Sequence, residues 1–333
     1  MPGLAKATIV AIAALATSPA FADWDRPALE REIAAIEKQA KGRLGVALLD
    51  LRDRKAWSHR GGESFPMQSV FKLPLAVAAL QAVEAGKLKL DEKITVTRRD
   101  FSLYHSPLAK AFKGDSNDYP VSELIRLAAG ESDNTAADML MRRIGGPQVV
   151  TKMLRDGGVS GISVDRYERE FQPEVFGLPG FGWDVVIDEP AYRAKLKALP
   201  PAKRQEALAT ALRDKRDSAT PDSSIAFLEG LAKGNWLRAP AHATFLDTVI
   251  SASKTGPARI RGGLPAGTKL AHKTGLGLTM DGVNHATNDI GIVTLPDGRR
   301  FAIAVYLAGS RADAKTRFGA HAAVARAAIA ALR

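Results

Sequence analysis

The order of elements readable in this chain predicts a discontinuous α/β domain with an all-α domain inserted into it, and a site in the cleft between the two. Three observations carry that expectation. Two β-rich runs, Leu44–Leu51 and Lys55–Gly62, follow a first helix near the start. Three more, Thr268–Gly275, His285–Leu295 and Arg300–Ala308, precede a last amphipathic helix over about 313–332. Between them, residues 66–250 read as helices and loops. The simplest assembly is one antiparallel five-stranded sheet made from both ends of the chain and flanked by the terminal helices. The expected boundaries are a leader at 1–22, an α/β domain of 23–65 and 251–333, and an all-α domain of 66–250. A cleft between two such layers is a common place for a site.

Each element has a local reason. Asp25 is a good N-cap, and Pro27 stands in the first turn behind it. Leu29, Ile33 and Ile36 then recur at helical spacing, so the first helix ends near Gly42. Lys55–Gly62 is the antiparallel partner of Leu44–Leu51. Pro296-Asp297-Gly298 supplies the turn between the last two strands. Within the helical block, Val121–Ala129 and Thr135–Ile144 are two apolar-periodic stretches separated by Gly130 to Asn134.

Residues 1–22 carry one charge, Lys6, then an apolar stretch from Ala7 to Ala16 and a small-x-small site, Ala20-Phe21-Ala22. That is the pattern of a secretory leader cleaved after Ala22, and the apolar stretch is too short to span a bilayer. The mature protein is therefore expected in the periplasm or outside the cell, without stable membrane insertion. An Arg-Arg pair is missing near the start, which favours the general export route. Cysteine is absent, so disulfides, thiolate nucleophiles and cysteine metal sites are excluded.

The formal net charge is +11, but its Lys and Arg residues are scattered, with no run of five. This reads as a solvated basic surface rather than a nucleic-acid site. The histidines at 59, 105, 242, 272, 285 and 321 form no metal-binding spacing, so neither a metal nor another cofactor is expected. A Ser-His-Asp triad is harder to exclude, because its members can lie far apart. The Gly-x-Ser-x-Gly elbow that would support one is missing.

Ser69-Val-Phe-Lys72 is followed at once by the apolar run Leu73–Leu80. Residues three apart on a helix share a face, so the Lys72 amine can reach the Ser69 hydroxyl. A helix start also offers free N–H groups and a partial positive charge. Together these suit acyl transfer through a serine ester. On the tetrad alone, an ordinary N-cap serine explains Ser69 equally well. A second tetrad, Ser251-Ala-Ser-Lys254, lacks an apolar helix behind it, and Lys254-Thr-Gly256 lacks a strand before it.

Three further motifs decide between these readings. Ser132-Asp133-Asn134 lies between two helical patterns, and its residues are also good caps. Lys273-Thr274-Gly275 ends a predicted strand, where Lys and Thr can grip a carboxylate and Gly permits close approach. Arg166–Gln172 reads on its surface as a solvated charge run. Yet Glu168, with an amide four residues on at Gln172, could hold a water that hydrolyses an acyl-serine ester.

In this order and at these intervals the set resembles the class A serine β-lactamases across essentially the whole mature chain. The resemblance implies that Ser69 attacks a small-molecule β-lactam and that Lys72 handles its proton. It implies an oxyanion hole from the N–H groups of Ser69 and Leu276, and proton delivery by Ser132 beside Lys273. Asn134 and Thr274 would hold substrate, Gly275 would let it approach, and Glu168 with Gln172 would activate the deacylating water. Either Lys72 or Glu168 takes the Ser69 proton. Arg259 stands where some members carry an arginine for the substrate carboxylate. Arg166 and Asp217 match the pair at the base of an Ω-shaped loop, here an extended region over 166–221. A monomer is implied as well.

The chain departs from the family at Gln172, where asparagine is usual, and at His105, where an aromatic gatekeeper is common and Tyr104 could substitute. The largest departure is length, since residues 173–220 span 48 positions. A structureless loop of that size is improbable in a compact domain. Ala202–Arg213 predicts a helix with Leu208 and Leu212 on one face, and Phe176, Phe181 and Trp183 need a surface to cover them. The excursion either roofs the active-site entrance or forms a peripheral lobe. Two rival functions share much of the machinery: a penicillin-binding D,D-peptidase and a non-hydrolytic β-lactam sensor. Glu168 is the residue that separates turnover from trapping.

Overall fold

The structure is a computed structural model, and it describes residues 24–332. The leader read at 1–22 lies outside the described residues. Helix α1 (Arg26–Ala40) starts on the Asp25 side chain, which accepts from the Ala28 N–H. Strands β1 (Arg43–Asp50) and β2 (Ala56–His59) follow it. Near the other end come β3 (Lys269–Leu276), β4 (Thr279–Met280), β5 (Val283–Thr294) and β6 (Arg300–Ser310). The strand order is β2-β1-β6-β5-β3, with β4 paired on β5. All these pairs are antiparallel, so the first strand of the chain lies beside its last.

The sheet has six strands where the sequence predicts five. The extra one is the two-residue β4, which extends the β3–β5 hairpin beyond Gly277, whose N–H bonds the Ala286 carbonyl. Side chains alternate cleanly across the sheet, as strand geometry requires. Leu44, Val46 and Leu48 of β1 join Phe301, Ile303, Val305 and Leu307 of β6 in the cluster under the terminal helices. Ala47, Leu49, Ala302, Ala304 and Tyr306 face the helical block instead.

The helical block surrounds α2 (Lys72–Glu84), whose residues Lys72 to Leu80 are all buried. The expected helix at 121–129 is α-helical over Val121–Ile125 and widens to a π turn over Arg126–Gly130. Such bulges are frequent near functional sites, and this one ends two residues before Ser132. Helix α3 (Asn134–Arg143) is capped by Asp133, which accepts from Ala136. Short strands at Ile162–Ser163 and Ser218–Ala219 pair with each other and close the neck of the long excursion.

Within the excursion, α4 (Glu168–Glu174) is followed by α5 (Glu189–Ala198) and α6 (Pro201–Ala211). Only α6 was expected. Asp188 caps α5 by accepting from Ala191, and Pro190 stands in its first turn. That pair is a readable start signal. Phe176, Tyr192, Leu196 and Leu208 are buried together with Leu103, Phe171 and Val175, so the excursion has its own small core. Trp183 packs on Tyr167 at a 5.1 Å centroid distance, with the Arg142 and Arg169 guanidinium groups against its ring.

Candidate active site

The Ser69 tetrad lies on a 3₁₀ turn, Gln68–Phe71, and Lys72 is the first residue of α2. The sequence places both on the first helical turn. The difference matters, because side chains three apart eclipse in a 3₁₀ turn. Lys72 Nζ thus stands 2.9 Å from Ser69 Oγ. Lys72 is wholly buried and donates also to the Ser132 carbonyl at 2.9 Å and to Asn134 Oδ1. Glu168 Oε1 is 3.0 Å away. One lysine side chain therefore touches three of the sequence motifs.

Ser132 sits at φ +65, a left-handed conformation that costs a non-glycine residue about 1–3 kcal/mol. Its Oγ accepts from Lys273 Nζ at 2.8 Å. Lys273 is buried at the inner end of β3. Burial first, then the nearby Lys72 and Arg259, hold its ammonium well below the usual lysine range. Asn134 is fixed at both ends: its N–H bonds the His105 carbonyl and its Nδ2 bonds the Leu103 carbonyl. Asp133, fully buried, takes Ser106 Oγ and the Leu108 N–H, holding the 103–108 loop against α3.

Thr274 is buried and its hydroxyl meets Thr255 Oγ1 at 2.9 Å. Thr255 belongs to the Lys254-Thr-Gly256 copy that sequence reasoning set aside, and it is a neighbour of the site through this bond. Gly275 has no room for a side chain, since a Cβ there would lie 2.5 Å from the Met67 carbonyl oxygen. That approach brings β3 against the nucleophile turn. Leu276, next along, is exposed at 49%. Arg259 is buried and donates Nη1 to the Gly275 and Asn288 carbonyls, 3.1 and 2.9 Å away. His105 is exposed, with Nε2 2.9 Å from the Glu131 carbonyl oxygen. Tyr104, at φ +69, turns its hydroxyl to Tyr192 of α5 instead, at 2.8 Å.

Glu168 and Gln172 are both buried, and Gln172 Nε2 donates to Glu168 Oε2 at 2.7 Å. The Arg166–Asp217 pair closes at 2.6 Å, and Glu174 and Asp214 join it at 2.6 and 3.3 Å. Sequence reasoning missed Asp138. It is fully buried on α3 and accepts from the N–H groups of Glu168 and Arg169 and from Ser102 Oγ. It therefore fixes the backbone that presents Glu168. Its spacing from Asn134, one helical turn, was the available signal. Among the described residues no group of three or more His, Asp or Glu side chains is arranged to hold a metal ion.

Comparisons with known proteins place the chain among relatives of one family. The profile of the family described as "Beta-lactamase enzyme family" matches residues 28–332. The extended-spectrum β-lactamase PER-1 of Pseudomonas aeruginosa is 29% identical over 87% of this chain and 82% of its own. β-Lactamase L2 of Stenotrophomonas maltophilia is 30% identical over 83% of this chain and 77% of its own. The crystal structure of TLA-3 extended-spectrum β-lactamase superposes with a TM-score of 0.75 at 29% identity, covering 91% of this chain and 97% of the other.

Proposed function

The chain belongs to the β-lactamase enzyme family, among its class A serine hydrolases, and on that premise we propose how it opens and releases β-lactams. Ser69 Oγ attacks the lactam carbonyl carbon. Its proton leaves through Lys72, either staying on Nζ or passing onward as Nζ gives a proton to Glu168. The N–H groups of Ser69 and Leu276 hold the oxyanion, and losing one such donor typically costs about 10²–10³ in rate. Ser132 gives its proton to the lactam nitrogen as the C–N bond breaks, with Lys273 beside it favouring that transfer. The proton taken from Ser69 is relayed back through Lys72 to restore Ser132 and leave Glu168 a carboxylate. Asn134, Thr274 and Arg259 orient the substrate, His105 borders it, and Gly275 allows the close approach.

In the second half, Glu168 takes a proton from a water held with Gln172. The resulting hydroxide adds to the ester carbonyl, and Ser69 Oγ leaves with the proton that Glu168 took from the water, returned through Lys72. The single observation that supports turnover over trapping is the Glu168 carboxylate at 3.0 Å from Lys72 Nζ, itself 2.9 Å from Ser69 Oγ. Intact-mass measurement after a β-lactam pulse tests the reading. Rapid return to the unmodified mass is expected. A lasting adduct on Ser69 would mean a D,D-peptidase or a sensor instead.

The protein is exported with a leader cut after Ala22; the described residues hold no helix long and apolar enough to cross a membrane. A monomer and the division at 65/66 and 250/251 belong to the same reading. The excursion is a wall of the entrance rather than a separate lobe. Its α5 reaches Tyr104 through Tyr192, and Arg193 lies over the Tyr104 ring at 5.0 Å. On the opposite side Arg204 grips Asp281 with two hydrogen bonds, beside β4.

A further inference from the structure

Gln68, the residue before the nucleophile, has three unusual properties. It is buried and its backbone is at φ +48, where non-glycine residues are rare. Its side-chain amide joins the Glu168–Gln172 pair to strand β5. Oε1 accepts from Gln172 Nε2 at 3.1 Å, and Nε2 lies 2.8 Å from His285 Nδ1 on β5. Gln172 Nε2 in turn donates to Glu168 Oε2. The same strand pins the backbone just ahead: Asn288 Nδ2 donates to the Pro66 and Met67 carbonyls at 2.8 and 2.9 Å.

The direction of this chain of bonds is set by one proton. His285 is fully buried, and burial pushes its imidazole down to about 4, so it is neutral and carries a single N–H. The ring's other nitrogen, Nε2, is buried and has no hydrogen-bond partner among the described residues. The Glu168 carboxylate fixes the order from the other end: it takes Gln172 Nε2, which also donates to Gln68 Oε1, so the Gln68 amide nitrogen faces Nδ1 and Nδ1 accepts. An accepting Nδ1 requires the Gln68 amide nitrogen to face it. Gln68 Oε1 then faces Gln172 and requires a donor there. Gln172 meets that with Nε2, which is also the group Glu168 needs. The opposite tautomer would reverse each amide in turn and set a Gln172 oxygen against the Glu168 carboxylate.

We propose that Gln68 and His285 are positioning residues for hydrolysis of the acyl-serine ester, orienting the Gln172 amide and through it Glu168 and the attacking water. Neither touches the reacting atoms. The positive φ of Gln68 is strain held at a functional site, consistent with a backbone placed for its side chain's task. This inference rests on the roles proposed above for Ser69, Glu168 and Gln172.

The test separates the two half-reactions in the full chain by stopped-flow and quenched intact-mass measurement with a single cephalosporin. H285L removes the acceptor, Q68M removes both amide contacts at similar volume, and H285N returns an acceptor near the Nδ1 position. Deacylation is expected to fall about tenfold or more in H285L and Q68M, within the range of a weakened general base. Acylation should stay within about threefold, and H285N should recover most of the loss. Deacylation at the parental rate in H285L and Q68M overturns the proposal. So does a parallel fall in both steps, or no recovery in H285N, since either is what a merely structural role gives. If the unsubstituted chain never forms an ester on Ser69, it is the earlier reading that fails.

Discussion

Lys72 and Glu168 face each other across 3.0 Å with both side chains essentially removed from water. Breaking a buried pair leaves one charge uncompensated, at a typical cost of about 3–5 kcal/mol. The pair is therefore expensive to disturb as well as chemically central. Glu168→Gln keeps the shape and the contact to Gln172 while removing the base. Acylation is expected to persist and deacylation to fall about 10²–10⁴-fold. The readout is the adduct mass over time, and an adduct that clears at the parental rate would refute the assignment.

Asp138 has a pH signature that can be measured without substrate. Burial, then the neighbouring Glu168 carboxylate, push its carboxyl up from an ordinary 3.8 to about 7. A carboxyl raised on folding contributes stability that is fully present below its unfolded value and is lost as pH rises through its folded value. The window therefore runs from about pH 4 to about pH 7. Asp138→Asn cannot titrate. Its stability relative to the parent, from urea denaturation, should be less favourable at pH 5 than at pH 8. An equal difference at both pH values would contradict the shift.

The neck of the excursion depends on Arg166. Its guanidinium serves Asp217, Glu174 and Asp214, and the Asp217 carboxylate also caps the N–H groups of Asp165 and Arg166. Arg166→Ala is expected to destabilise the protein by about 3 kcal/mol or more. Limited proteolysis should then cut first within 173–220, because the ladder at Ile162–Ser163 and Ser218–Ala219 is only two residues long. Cleavage elsewhere first would show that the neck does not depend on this residue.

What the sequence made legible follows from how local each signal was. The strand pairs, both terminal helices and the four motifs depend on spacing and period, and they are found within a few residues of expectation. The 3₁₀ start at Gln68 was not legible, because the backbone just before it is held by Asn288 and closely approached by Gly275, both from the distant sheet. Asp138, Gln68 and His285 carry no motif. Their roles arise from partners 30 to 217 positions away in sequence. Arg259 reads from the sequence as an arginine for the substrate carboxylate, and the anchoring of its Nη1 on two strand carbonyls is something only the fold reveals.

The excursion yields the last prediction. Tyr192 is buried, bonds Tyr104 through its hydroxyl and meets Phe181 at a 6.0 Å centroid distance. It is thus the anchor joining α5 to the rim loop that also positions Asn134 through the Leu103 and His105 carbonyls. Tyr192→Phe removes only the hydroxyl contact and keeps the packing, so the fold should survive with a loss of about 1 kcal/mol. Freed from Tyr192, the Tyr104 side chain gains room at the entrance. The expected result is a change in kcat/KM ratios among penicillins, cephalosporins and carbapenems, carried by KM for substrates with large acyl groups, while kcat for compact ones is unchanged. Deleting 178–212 should change those ratios further, provided the remaining core stays folded by circular dichroism. Ratios that stay constant in both variants would make the excursion a peripheral lobe, since a wall that can be loosened or removed without changing which substrates enter is not a wall of this site.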